Sequence, residues 1–390
     1  MKLIERAGNI ITFIILILFS SVLAGHAMPT QYPVSTTILN SNKAYKGNIL
    51  YRAVIEGTSK VLLMDMRGNI LHTWVLPEYK GVGYPEPLGN GNILALARRN
   101  NNTYVLVELD WDGNIVWEYY YPNAISHHDF ERLDNGNTLI LYREDRNVPG
   151  ISSKDLLDDF IAEVNAEGDI VWEWHTYEHF DEFGFSDTAK QQIYDAGGDW
   201  AHTNSIQSLP PNTLNDPRFS EGNILVSQRE TNIIFVIDKE TGQIVWKIGP
   251  DDNLTIAQHD ARMIRKGFEG AGNILVFDNG GDAGYPSQFR FYSKVIEIEP
   301  IFKKVVFLYT AKRSNLPLST FFSYSMGGSQ KLPNGNILIN EAETGRFFQV
   351  TPDGEIVWEY INPFFKQEPE FLTNQVYRIW MINRNWPPAI

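Results

Sequence analysis

The sequence predicts an all-β fold: a six-bladed β-propeller with four-stranded blades and an insertion in or after the third blade. Three observations predict it. A Gly-Asn turn leading into an apolar strand recurs six times, a second turn leading into a tryptophan strand recurs five times, and helix-period segments are nearly absent between them. Turns built on Asn-Gly or Asp-Gly supply the positive φ that tight hairpins demand, so each phrase marks a β-hairpin.

The first phrase reads "GNILYR" at Gly47, "GNILAL" at Gly91, "GNTLILYRE" at Gly136, "GNILVSQRE" at Gly222, "GNILVFDNG" at Gly272 and "GNILINEAE" at Gly335. Successive units lie 44, 45, 86, 50 and 63 residues apart, and the longest gap places an insertion at about 175–221. The second phrase reads "MRGNILHTW", "WDGNIVWEY", "AEGDIVWEW", "ETGQIVWKI" and "PDGEIVWEY"; the fifth unit has "IEPIFKKVVFLYT" in its place. Each blade takes its first strand from the segment before the Gly-Asn turn, its second from "GNIL", its third from runs such as "VLVELD" and its fourth from "IVWEY". A small sheet apolar on both faces cannot bury itself, so the blades stack around an axis with the first strand innermost. The tryptophans Trp74, Trp117, Trp172, Trp246 and Trp358 read as packing between blades.

Composition narrows the functional classes. The chain has 390 residues, 43% of them hydrophobic, and a net charge of −14 that excludes nucleic acid as a partner, because phosphate contacts need a basic surface. With no cysteine there is no disulfide, thiolate metal site or cysteine nucleophile. Lys2 and Arg6 precede the apolar run "IITFIILILFSSVLA", and Gly25 and Ala27 follow it. This pattern predicts a signal peptide over residues 1–27, cleaved after Ala24 or Ala27, ahead of a single propeller domain over 28–390. The protein is therefore expected to be exported, periplasmic or secreted. The same run is short of the roughly 20 residues of a membrane span, and an uncleaved anchor is the alternative reading.

Polar side chains converge at one channel mouth. Histidines stand at the upstream end of three innermost strands: His127 and His128 in "SHHDFERL", His202 in "AHTNSIQSL" with Asn204 beside it, and His259 in "QHDARMI". Arg229 ends the "NILVSQR" strand, which an antiparallel hairpin returns to the mouth where His202 begins. One histidine at a strand start is ordinarily a loop residue, but three in register describe a shared site. His72, His175 and His179 fall outside the register and read as surface or packing residues, and Asp129 and Asp260 read as turn caps. Three imidazoles suit zinc, yet a guanidinium beside a dication is repelled. The set reads instead as an oxyanion site with no metal and no bound cofactor: a forked donor from Arg, single donors from His and Asn, and an imidazole available as nucleophile or proton shuttle. Aromatic loops at 177–200 (Tyr177, Phe180, Phe183, Phe185, Tyr194, Trp200) and 321–324 (Phe321, Phe322, Tyr324) suit a ligand with an aryl body and an anionic head, or else pack these segments onto the propeller.

The segments "HHDFERLDNGNTLIL", "DWAHTNSI", "SQRETN", "QHDARMI", "VFDNGG" and "TGRFFQVTPDGEIVWEY" resemble, in order, those of the nucleotide-independent bacterial aryl sulfotransferases, over about residues 45–380. The resemblance implies transfer of a sulfuryl group from a phenolic sulfate ester to a phenol through a transiently sulfated histidine, without adenylyl sulfate. On this resemblance His259 is the nucleophile. His202, Asn204 and Arg229 contact the sulfuryl group. His128 is the acid–base histidine, with His127 the alternative, and Thr344 of "ETGR" lines the site. The chain has no room for the N-terminal domain of longer members, which leaves oligomeric state and acceptor choice open. Two other classes stay in view: a non-catalytic binding propeller, and a quinone-dependent dehydrogenase, whose tryptophan docking phrase "IDKETGQIVWKIG" resembles.

Overall fold

Short strands joined by tight turns build six antiparallel blade sheets, and a two-stranded one over Lys366–Gln367 and Leu372–Thr373, in the computed structural model, which describes residues 33–387; the expected signal segment lies outside them. In blades two to five the strands run in chain order from axis to rim. Blade three is Ile125–Arg132, Thr138–Arg146, Leu156–Val164 and Ile170–His175. The first strands of successive blades touch one another round a closed ring, which makes them the channel wall.

Blade one departs from the expected order. Its strands Gly47–Ile55, Thr58–Met64 and Ile70–Trp74 take their innermost partner from the C-terminus, Ile379–Asn383. The segment before Gly47 goes elsewhere: Ser35–Leu39 pairs with the rim strand Ile356–Ile361 of blade six. The C-terminal strand thus completes blade one, Ser35–Leu39 adds a fifth strand to the expected four of blade six, and the ring closes through backbone hydrogen bonds.

Each rim tryptophan reaches the next blade, as the repeat predicts. The indole N–H groups of Trp74, Trp172, Trp246 and Trp358 donate to the carbonyls of Asp110, Lys239, Pro300 and Met66, at 2.9, 3.1, 2.8 and 2.8 Å. Trp117 instead lies under the Arg132 guanidinium of the following blade, 4.6 Å from ring centre to Cζ. The three histidines outside the register are packing residues: His72 stacks on Trp111, His175 on Phe160 and His179 on Trp174.

Between blades three and four the chain makes a 3-10 segment, Thr176–Phe183, and a helix, Asp187–Ala196, capped by Ser186 Oγ accepting from the Ala189 N–H at 3.2 Å. Phe180, Phe183 and Trp200 are buried against Trp174 and Phe235, with Phe185 packed on them. These rings anchor the segment to the blades, the packing reading of the insertion. Phe321 is likewise core. The innermost strand of blade four, Thr203–Ser208, divides the expected insertion in two.

Candidate active site

Every innermost strand of blades two to five enters the channel through an irregularity in pairing, at Gly83/Glu86, Ile140/Tyr142, Thr203/Ser205 and His259/Arg262. Left-handed residues sit at these places: Tyr84 (φ 51°), His128 (φ 55°), His202 (φ 49°) and Asp260 (φ 54°), with Met326 (φ 60°) opening blade six. Such backbone costs about 1–3 kcal/mol per non-glycine residue, and a bulge of this kind turns a side chain away from the regular pleat. Here it turns them toward the axis. One residue from each blade meets there: Tyr377, Tyr84, His128, His202, His259 and Met326.

The contacts among them are close. Ring centroids lie 4.5 Å apart for Tyr84–Tyr377, 5.5 Å for His128–Tyr377, 4.9 Å for His128–His202 and 6.5 Å for His259–Tyr377. The Met326 N–H points at His259 Nε2 from 3.3 Å.

Each imidazole has its own orienting partner. His259, 2% exposed, donates from Nδ1 to Asn279 Oδ1 at 2.8 Å, with the Ala257 carbonyl at 3.1 Å. The Asn279 amide nitrogen donates to the carbonyls of Ser323 (2.9 Å) and Met326 (2.7 Å), so its oxygen must face the ring and the ring proton must sit on Nδ1. Nε2 is left with the lone pair. His202 Nδ1 lies 2.6 Å from Asp199 Oδ2. His128 and His127 share a hydrogen bond between their Nδ1 atoms at 2.6 Å, and His127 Nε2 is 3.1 Å from Asp159. His128 therefore faces the cluster, and His127 stands behind it as a link to a carboxylate.

Burial dominates the electrostatics. It pulls the His259 pKa down to about 3, with the His202 imidazole adding to the effect and the Asn279 bond opposing it. Burial, then the charges of His127, His202 and His259, hold His128 well below the ordinary imidazole value. Burial raises the Asp199 carboxyl, but the His202 hydrogen bond and the neighbouring positive groups outweigh it and leave it lowered.

The remaining expected residues divide. Asn204 is fully buried, donates one N–H to the Gln258 carbonyl at 2.8 Å, and keeps an Oδ1 without a hydrogen-bond partner. Arg229 pairs with Glu230, donates to the Asp282 carbonyl at 3.1 Å, and lies 5.7 Å over Tyr324. Thr344 gives its hydroxyl to the Glu341 carbonyl of its own turn at 3.2 Å, so the structure does not join it to the imidazoles. Asp129 and Asp260 are not turn caps. They bind Arg262 and Arg378 in a buried four-residue network beneath the histidines, with N–O distances of 2.6 to 3.1 Å, that ties blades one, three and five. Gly328 makes room for it, since a Cβ there would collide with the Asp260 carboxylate.

A cavity of about 490 Å³ reaches one side of this cluster, with His127, His128, Tyr84, Tyr377 and Met326 in its wall and His202 and His259 outside its lining. Sequence reasoning missed Tyr84 and Tyr377. Tyr84 stands seven residues before Gly91, much as His128 stands eight before Gly136, so the register carried that signal. Tyr377 carried none, because no Gly-Asn turn follows it.

The sequence profile of the Arylsulfotransferase (ASST) family matches residues 79–363. No curated protein matches the chain. Among solved structures, a protein of unknown function from Bacteroides caccae aligns with a TM-score of 0.53 at 14% identity, over 85% of this chain and 98% of that one. A virginiamycin B lyase from Staphylococcus aureus aligns with a TM-score of 0.42 at 13% identity, over 90% and 99%. At such identities the first likeness concerns the fold alone. The family match covers the Gly-Asn turns of blades two to six, all four clustered histidines, Arg229 and Asn279, and by it the chain belongs to the arylsulfotransferase family.

Proposed function

We propose that this arylsulfotransferase is an exported enzyme that moves a sulfuryl group from a phenolic sulfate ester to a phenol in two half-reactions, through a sulfated His259 and without a nucleotide-linked donor. The observation that supports this most is the state of His259: buried, neutral, with its proton fixed on Nδ1 and a lone pair on Nε2. Nε2 attacks sulfur, an N–S bond forms and the aryl O–S bond breaks, with the electron pair leaving on phenolate. Sulfuryl transfer, like phosphoryl transfer, depends on positioning and charge stabilisation. Arg229 supplies N–H groups not taken by Glu230 and Asp282, and His202 and Asn204 hold the other oxygens. His128 gives the leaving phenolate its proton. The anionic ester entering beside it provides the counter-charge that lets this depressed imidazole carry one, and His127, bonded to it through Nδ1 and 3.1 Å from Asp159, stands behind it. In the second half-reaction His128 takes the proton of the acceptor phenol, whose oxygen attacks sulfur as the N–S bond breaks. The aryl body lies in the cavity against Tyr84 and Tyr377.

Donor alone should leave the protein heavier by one sulfuryl group, acid-labile, and peptide mapping in alkali should place it on His259. His259→Ala should neither take up the label nor turn over, and initial-rate plots should run parallel. A label on His128 or His202, or intersecting plots, would refute the assignment. N-terminal sequencing of the mature protein, expected to begin at Gly25 or Met28, checks export.

A further inference from the structure

The repeat fixes a position six residues beyond each Gly-Asn asparagine, where the second strand of a blade arrives at the mouth with the imidazoles. In blades two, three, four and five it is occupied by Arg98, Arg143, Arg229 and Asn279. The last two serve the sulfuryl site. Arg98 and Arg143 hold no sulfuryl oxygen in that reading, although the Arg143 charge acts on His128 and Asp199; both line the cavity that His128 and Tyr377 face, and Arg52 from the second strand of blade one lines it beside them.

None of these three guanidinium groups belongs to an ion pair among the described residues, although nine other arginines do. Arg143 Nε is buried without a hydrogen-bond partner. Arg52 Nε is held by Ser59 Oγ at 2.7 Å, and Arg98 lies 5.4 Å over the Tyr104 ring, so two of the three are positioned by neighbours that leave their outer N–H groups open. In a chain of net charge −14, three unpaired forks in one cavity are a local reversal of sign. Carboxylates act on them only at longer range, Glu368 on Arg52 and Asp199 on Arg143, without closing an ion pair. Guanidinium forks, unlike lysine point charges on a rim, match the planar or tetrahedral oxygens of an anionic group two at a time.

We infer that Arg52, Arg98 and Arg143 form a second anion subsite, and that the phenols this enzyme serves carry an anionic substituent, a carboxylate or sulfonate, in addition to the hydroxyl that exchanges the sulfuryl group. The inference rests on the aryl sulfotransferase reading. The hydroxyl end lies at His128 and the anionic end at the arginines, with the ring between Tyr84, Tyr104 and Tyr377.

The test compares 4-hydroxyphenylacetate with its amide as acceptors, using 4-nitrophenyl sulfate as donor and the full-length protein. The ratio of kcat/KM for acid over amide should be about tenfold or more, the scale of a charge-assisted hydrogen bond. It should fall toward one in Arg143→Gln and in Arg98→Gln. Because the ratio is taken within one preparation, partial unfolding or a slower transfer step cancels. The pair 4-hydroxybenzenesulfonate and its sulfonamide separates sulfonate from carboxylate recognition, and preference for either anion supports the subsite. Calorimetric titration of the acid and the amide, without donor, measures the subsite independently of turnover. Failure to transfer to phenol itself would remove the sulfotransferase reading and leave that titration as the judge of the subsite. Equal binding and equal turnover of acid and amide, or a preference that survives both substitutions, would overturn the inference.

Discussion

Asn279 Oδ1 accepts the Nδ1 proton of His259 at 2.8 Å, and the carbonyls of Ser323 and Met326 hold the Asn279 amide so that it can present nothing else. A second-sphere group of this kind sets which nitrogen of an imidazole is free. Asn279→Ala should lower kcat/KM for a chromogenic aryl sulfate by about 10–100-fold, on the scale of second-shell losses. Asn279→Asp should raise the pH at which activity fails in acid, because a carboxylate favours imidazolium. An unmoved pH profile would reduce Asn279 to a loop tether.

The pH dependence of stability has two opposed parts. His259 and His128 have folded pKa values below the unfolded value of 6.5, so the unfolded chain binds more protons in acid, and stability falls as pH drops from 6.5 toward 3. Glu86 and Glu131, facing each other near Arg262, are raised by burial to about 8 and about 7, so stability falls as pH rises from their unfolded value of 4.5 through that range. The urea midpoint should therefore be highest between pH 4.5 and 6.5. A midpoint that does not fall between pH 6.5 and 8 would show both glutamates already ionised in the native state across that range.

Arg229 is fixed by Glu230 and by the Asp282 carbonyl, over the Tyr324 ring. Lysine cannot satisfy both partners and still offer a fork. Arg229→Lys should lower turnover more than about tenfold, the cost of one transition-state donor, with thermal unfolding little changed. Full activity would make Arg229 a packing charge.

Trp358 closes the ring from blade six to blade one through its bond to the Met66 carbonyl. Trp358→Phe removes that bond, leaves the carbonyl with Thr36 Oγ1 at 3.2 Å as its remaining partner, opens space in a fully buried place, and should cost about 1–3 kcal/mol in urea unfolding. Trp117→Phe, which removes only part of a stack on Arg132, should cost about 1 kcal/mol or less. Equal costs would show that ring size, not the indole N–H, stabilises the rim.

Sequence by itself determined the blades, because Gly-Asn and Asp-Gly turns and strand alternation are local chemistry repeated often enough to count. It also determined that His128, His202 and His259 share one mouth, since the same position in three repeats lands at the same place on the ring, and it brought Arg229 there through hairpin geometry. Tertiary structure alone decided what those side chains are. Tyr377 enters the cluster because the C-terminal strand closes blade one, a pairing between chain ends that no local pattern announces. Arg378 and Asp129, 249 residues apart, are joined for the same reason, and the aspartates read as turn caps become the floor of the site. Of the two readings of the aromatic insertion, tertiary structure decided that Phe180, Phe183 and Trp200 pack into the core. The low proton affinity of His259 is likewise invisible in "QHDARM": it arises from burial among other imidazoles, and desolvation belongs to the assembled ring, not to the residue.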